Sequence, residues 1–142
     1  MIVVKRVSDI RDLDAAFTIR EKVFVKEQKV PKDDEYDEHD KTANHYLATY
    51  NGVPVGAARW RQTTNGVKLE RFAVLADYRN KQVGSALLQA VLKDVVAIYP
   101  NAKIYLHAQI PAIPFYARHD FTQVGELFSE CDIDHYQMVY AA

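Results

Sequence analysis

The sequence predicts a mixed α/β (α+β) fold, one mixed sheet with helices packed over it. Three observations carry this expectation. Strand-like and helix-like periodicities alternate along the 142 residues in the order β-α-β-β-β-α-β-α-β-β. Tight turns at Asn51-Gly52 and Thr64-Asn65-Gly66 fold three consecutive strands antiparallel. A strand then runs into a basic, glycine-containing turn that opens a long amphipathic helix.

Residues 2–7 read as the first strand. Ser8 or Asp9 caps a helix carrying Leu13, Ala16, Phe17, Ile19 and Arg20 to about Phe24, with helical character reaching toward Gln28. Val30-Pro31 breaks it. Residues 32–42 are polar and densely acidic, and are expected to be a loop. Residues 45–50, 53–62 and 67–75 are the three antiparallel strands. The following helix places Val83, Ala86, Leu87, Ala90, Val91, Val95 and Ile98 at helical spacing, with Ser85, Gln89 and Lys93 on its wet side. Pro100-Asn101 ends it. Residues 103–109 alternate as a strand: Ile104, Leu106 and Ala108 share one face, Tyr105, His107 and Gln109 the other. Residues 111–119 form a short helix with proline near its start, and residues 123–128 and 136–140 close the sheet as a hairpin pair. No repeat, low-complexity stretch or linker interrupts the chain, so residues 1–142 are expected to form a single domain.

Composition narrows the function classes. Hydrophobic residues make up 49% and charged residues 26%, an ordinary globular balance. A formal net charge of −1 provides no global basic field for nucleic acid or a membrane surface. A lone cysteine, Cys131, excludes an intramolecular disulfide and favours a reducing compartment. Lys5 and Arg6 follow the first apolar residues at once, unlike a signal peptide, and no apolar run is long enough to span a bilayer. The expected location is the cytoplasm.

The most informative segment is Tyr78-Arg79-Asn80-Lys81-Gln82-Val83-Gly84-Ser85. A helix start exposes backbone N–H groups that have no helical acceptor, and the helix dipole adds positive potential there. Both suit a pyrophosphate. Arg79 and Lys81 add charge, and Gly84 permits close approach of a ligand to the backbone.

These residues resemble the pyrophosphate motif of the GNAT superfamily of acetyl-CoA-dependent N-acyltransferases: Gln or Arg, two residues, Gly, one residue, Gly or Ala. Arg79, Asn80-Lys81, Gln82, Val83 and Gly84 align with it, with Gln82 in place of the first glycine. The run from Gln109 through Ala112, Phe115, Tyr116 and Arg118 to Asp120-Phe121 is similar to the family's second CoA segment, with Asp120 where glycine is usual. Arg20, Val23-Phe24, Glu27-Gln28, Val30-Pro31, Glu35, Asp37, Asp40 and His45 are similar to small bacterial members of the ElaA/YjcF type.

The resemblance covers nearly the whole chain. It implies the GNAT fold, a mixed sheet of about six to seven strands flanked by about four helices. It also implies an acetyltransferase that uses acetyl-CoA as co-substrate and needs no metal. The acceptor would be a primary amine on a small molecule or a protein. A homodimer is common in the family.

The resemblance further implies a set of roles. Arg79, Asn80, Lys81, Gln82, Val83, Gly84 and Ser85 would hold the pyrophosphate. Phe72, Ala73 and Val74 would lie on a strand that splays from its neighbour, so that freed backbone groups pair with the pantetheine arm. Gln109, Ala112, Phe115, Tyr116 and Arg118 would complete the CoA site. Tyr116 would protonate the departing thiolate, and the amide of Val74 or Phe72 would stabilise the oxyanion. An amine arrives as an ammonium and must lose a proton; Glu70 and His107 are the candidate bases, beside a water relay. Arg20, Phe24, Glu27, Gln28, Trp60 and His135 are candidates for the acceptor pocket.

Each role has a plainer counterpart. The turn could be solvated, Tyr116 could be core, Glu70 could pair with Arg71 or Arg59, and the acidic run 33–40 could be a wet loop rather than the acceptor entrance. Glu38, His39, Asp40 and His45 fit no strong metal motif. Cys131 and His135 lack an orienting group for nucleophilic catalysis. Two competing functions remain: a CoA- or acyl-CoA-binding regulator without turnover, motivated by Gln82 and Asp120, and an acyltransferase for longer acyl chains.

Overall fold

The computed structural model describes residues 1–141. Seven strands form one sheet in the order β1-β2-β3-β4-β5-β7-β6. They are β1 (Ile2–Arg6), β2 (Asn44–Tyr50), β3 (Val53–Thr63), β4 (Gly66–Val74), β5 (Ile104–Gln109), β6 (Phe121–Glu130) and β7 (Ile133–Tyr140). Every neighbouring pair is antiparallel except β4 with β5. That parallel pair is joined by the helix α3 (Val83–Ile98), because parallel neighbours need a crossover.

Helices cover both faces. On one face, α1 (Ile10–Arg20) packs Ala16 and Ile19 against Leu47, Ala57 and Ala73. Asp9 caps it, its carboxylate accepting from the Asp12 N–H at 2.9 Å. On the other face, α3 buries Val83, Leu87, Leu88, Val91 and Val95 against Ala48, Val55, Val67 and Leu106. At Gly56 a Cβ would lie 2.9 Å from Leu87 Cδ1, so glycine lets α3 sit directly on β3. The short helix α4 (Ile113–Ala117) follows a single tight turn, Ile110–Ala112, and shares this second face.

The helical character expected toward Gln28 is present, but in another form, and the loop expected over residues 32–42 is corrected. The first helix ends at Arg20 and continues as a wider π-helical segment, Glu21–Glu27. There Gln28 N–H reaches back five residues to Val23 C=O at 3.0 Å. Residues 32–42 are not a loop throughout: they contain the helix α2 (Lys32–Glu35) and a tight turn, Glu38–Lys41. Asp37 accepts from the His39 N–H at 3.0 Å while Asp40 accepts from the Asp37 N–H at 3.2 Å, a reciprocal cap. Both pieces lack an apolar stripe, so periodicity does not reveal them. Arginines from α1 and β3 hold them in place.

Candidate active site

The site begins where β4 and β5 part. Their pairing runs Val67–Ile104, Lys68–Tyr105, Leu69–Leu106 and stops there. On its other edge β4 stays paired to β3, but one extra residue enters between Glu70 and Ala73. Arg71 absorbs this bulge with a φ of 57°. A left-handed backbone at an arginine is unfavourable, and such strain gathers at functional positions. Leu75 N–H bonds to Val55 C=O at 2.9 Å, so Leu75 faces β3. By alternation, the peptide groups of Val74 and Phe72 turn into the gap. The Val74 carbonyl already accepts from Arg79 Nε at 3.0 Å.

The turn before α3 sits at the mouth of this gap. Asn80 and Gln82 both adopt left-handed backbone, with φ of 64° and 70°. Ala86 N–H is the first to bond to a turn carbonyl, Gln82 C=O at 3.0 Å. The amides of Val83, Gly84 and Ser85 therefore have no acceptor among the described residues. A Cβ at Gly84 would stand 3.4 Å from the Phe115 ring. Ser85 Oγ lies 3.0 Å from His119 Nε2, and Lys81 Nζ lies 5.9 Å from the centre of the Tyr50 ring. Arg79 donates to both oxygens of Glu27, at 2.7 and 2.8 Å. Glu27 thus pairs with the turn before α3 and does not line the cavity.

A cavity of about 750 Å³ runs from Arg79 and Gly84 along the gap to the sheet face beneath the π-helical segment and α2. Tyr116 lines its middle. Its ring is 9% exposed and lies edge-on to Phe72, Phe115 and Phe121. Burial pushes its phenol pKa up, so the group stays protonated and able to donate. No buried side-chain oxygen among the described residues lacks a partner, and the Tyr116 hydroxyl has none, so it opens onto the cavity.

Beyond Tyr116 the wall turns polar. Gln109 donates to Gln28 Oε1 at 2.8 Å, joining β5 to the π-helical segment beside Phe24. His107 Nδ1 lies 3.1 Å from Glu130 Oε1. The hydrogen bond from His107 holds the Glu130 carboxyl below its usual range despite partial burial. His135 is 8% exposed and lies on β7 opposite Gln109. Glu130, Asp34 and Arg71 also line this end. Asp34 comes from the acidic run expected at the acceptor entrance, whereas nothing in the sequence spacing of Glu130 and Arg71 marks them, and strand register brings them here.

Glu70 sits among cations instead. Arg59 Nε reaches it at 2.7 Å, Arg61 Nε at 3.1 Å and Lys68 Nζ at 3.3 Å. Burial opposes ionisation, but the Arg61 hydrogen bond and the charges of Arg59 and Lys68 outweigh it and bring the carboxyl down to about 2. Such a carboxylate is a weak proton acceptor. The bulge sends Arg71 away from Glu70 and toward Glu35 and Asp37.

Three other candidates lie off the cavity. Arg20 is 1% exposed and bonds Glu35 at 2.8 Å and Asp40 at 2.7 Å. Trp60 packs in the core and donates to the Tyr46 hydroxyl at 3.0 Å. Arg118 is exposed at the end of α4. Cys131 lies 3.9 Å from Asp34 Oδ2; partial burial and that carboxylate push its thiol pKa up, which opposes a nucleophilic role.

A parallel pair that parts beside the start of a helix offers free backbone groups to an extended ligand and free amides to a phosphate. The sequence pattern of the GNAT acetyltransferase domain matches residues 8–142. The chain belongs to the GNAT acetyltransferase family. YjcF, an uncharacterized N-acetyltransferase of Bacillus subtilis (strain 168), is 37% identical over 139 residues, covering 97% of this chain and 96% of that protein. Escherichia coli ElaA superposes with a TM-score of 0.89 at 27% identity, over 99% of this chain and 100% of that one. An acyl-CoA N-acyltransferase from Pseudomonas aeruginosa superposes with a TM-score of 0.86 at 26% identity, over 99% of both chains. The fold is therefore the GNAT fold, and its relatives identify the chain as an N-acetyltransferase.

Proposed function

We propose that this protein transfers acetyl from acetyl-CoA to a primary amine by direct attack on the thioester. The single observation that carries this is the gap between β4 and β5, which links the cradle to the polar end through one cavity. The amides at residues 83–85 receive the pyrophosphate. Arg79 joins them when it exchanges Glu27 for phosphate oxygens. The pantetheine arm lies along Val74 and Phe72 like an added strand. An amide N–H in the gap donates to the developing oxyanion, and Tyr116 protonates the leaving thiolate. The acceptor approaches from the side of Gln28, His107 and His135.

Gln82 and Asp120 lend no support to a binding module without turnover. Both already hold the left-handed backbone that a glycine would take, with φ of 70° and 71°. Among the described residues, no helix is long and apolar enough to cross a membrane.

Tyr116→Phe keeps the ring and removes only the hydroxyl. It should lower kcat about a hundredfold while the acetyl-CoA Kd stays within about twofold. Steady-state kinetics alongside calorimetry measures both. Unchanged kcat would take Tyr116 out of the reaction.

A further inference from the structure

We infer that His135 is the general base that deprotonates the incoming ammonium; this rests on the acetyltransferase reading above. His135 Nδ1 lies 2.6 Å from the Ile133 carbonyl oxygen. A carbonyl oxygen only accepts, so Nδ1 carries the hydrogen. In the neutral ring, Nε2 then holds a bare lone pair. No buried side-chain nitrogen among the described residues lacks a partner, and Nε2 bonds to nothing, so it is reached by solvent. The residue is 8% exposed and lines the cavity, which is where that solvent lies. Stacking at 21° against the Phe128 ring holds the imidazole in this orientation.

Register places His135 at the right depth. It stands opposite Gln109, while His107 stands opposite Gln137. With the extra residue at Arg71 counted, extending the Leu69–Leu106 pairing along the parting strands sets His107 level with Glu70 and Gln109 level with Ala73, between Phe72 and Val74. His135 is therefore level with the Phe72–Val74 backbone proposed to hold the acyl-bearing arm. His107 lies two residues back, about 6.6 Å along the strand. It points Nδ1 at Glu130, and Phe128 separates the two imidazole rings.

His135 Nε2 takes a proton from the ammonium. The amine nitrogen bonds to the thioester carbon, and the carbonyl π pair moves to oxygen. Its return breaks the C–S bond, and the thiolate takes a proton from the Tyr116 hydroxyl. The new amide nitrogen loses its second proton. One of the two protons released restores Tyr116 and the other leaves through the cavity mouth. The charged and titratable groups that share this end of the cavity with His135 are Glu130 from β6, His107 from β5, Lys68, Glu70 and Arg71 from β4, Asp34 and Glu35 from α2, and Cys131. Asp134 is its chain neighbour.

The test compares wild type, His135→Gln and His107→Gln. The kcat/KM profile against pH is read with acetyl-CoA and whichever of spermidine, L-lysine or tyramine the wild type acetylates fastest. His135→Gln should lower kcat/KM about a hundredfold and abolish its acidic limb, with the acetyl-CoA Kd unchanged. His107→Gln should keep the limb. A His135→Gln enzyme that keeps the limb, or stays within about threefold of wild type, overturns the assignment. Nitrogen-15 spectra of the imidazoles give a second readout that needs no turnover. A bare Nε2 that shifts when acetyl-CoA is added supports the base. A protonated Nε2 at neutral pH overturns it. Absence of transfer to all three amines counts against the acetyltransferase reading for such acceptors, and the spectra still decide on His135.

Discussion

Gln82 and Asp120 stand where the GNAT pattern usually carries glycine, and both adopt left-handed backbone, with φ of 70° and 71°. The usual glycines are thus explained by conformation: an L side chain there costs about 1–2 kcal/mol. Asp tolerates this region better than Gln. Gln82→Gly should therefore raise stability by about 1 kcal/mol, and Asp120→Gly by less, in denaturant titrations. A less stable Gln82→Gly protein would contradict the strain. The resemblance reveals these positions in the sequence; Arg71, strained at φ 57°, has no such signature, because no glycine marks its bulge. Tyr116, Gln28, Gln109 and both histidines were legible as candidates and do reach one cavity. Asp34 was legible as part of the acidic run at a possible acceptor entrance and also reaches the cavity; Glu130 was not, since its approach depends on strand register rather than on spacing.

At the scale of elements, the acidic run reads as a solvated loop but becomes half of a buried ion network. Arg59, 1% exposed, bonds Asp37 at 2.9 Å, Asp40 at 2.6 Å and Glu70 at 2.7 Å. Arg20 ties α1 to α2 through Glu35. Sequence periodicity misses this because charged residues are expected outside. The network makes stability acid-sensitive. Burial opposes ionisation of Asp37, Asp40 and Glu70, but arginine contacts hold all three carboxyls below their usual values. A depressed carboxyl stabilises the fold above its unfolded pKa, and this is lost as pH falls through the folded value. For Glu70 that window runs from 4.5 down to about 2. Glu35 acts with the opposite sign, because burial raises its pKa against the pull of Arg20 and Arg71. Arg59→Met should destabilise the protein at neutral pH by about 3–5 kcal/mol, since it strands buried carboxylates. It should also flatten the loss of stability between neutral and acidic pH. Chemical denaturation across that range reads both, and a variant with the wild-type acid dependence would contradict the network's role.

At the scale of the molecule, strand and helix order was largely legible, because amphipathic periods and Asn-Gly turns are local signals. The parting of β4 from β5 is a relation between distant segments and entered only through the family resemblance. The whole account depends on that gap. Calorimetric titration with acetyl-CoA, for wild type and Gly84→Glu, tests it most directly. The variant places a carboxylate at the cradle amides and crowds Phe115, 3.4 Å from where the new Cβ would sit. The account predicts micromolar binding by the wild type and its loss in Gly84→Glu. No binding by the wild type, or equal binding by both, would contradict it.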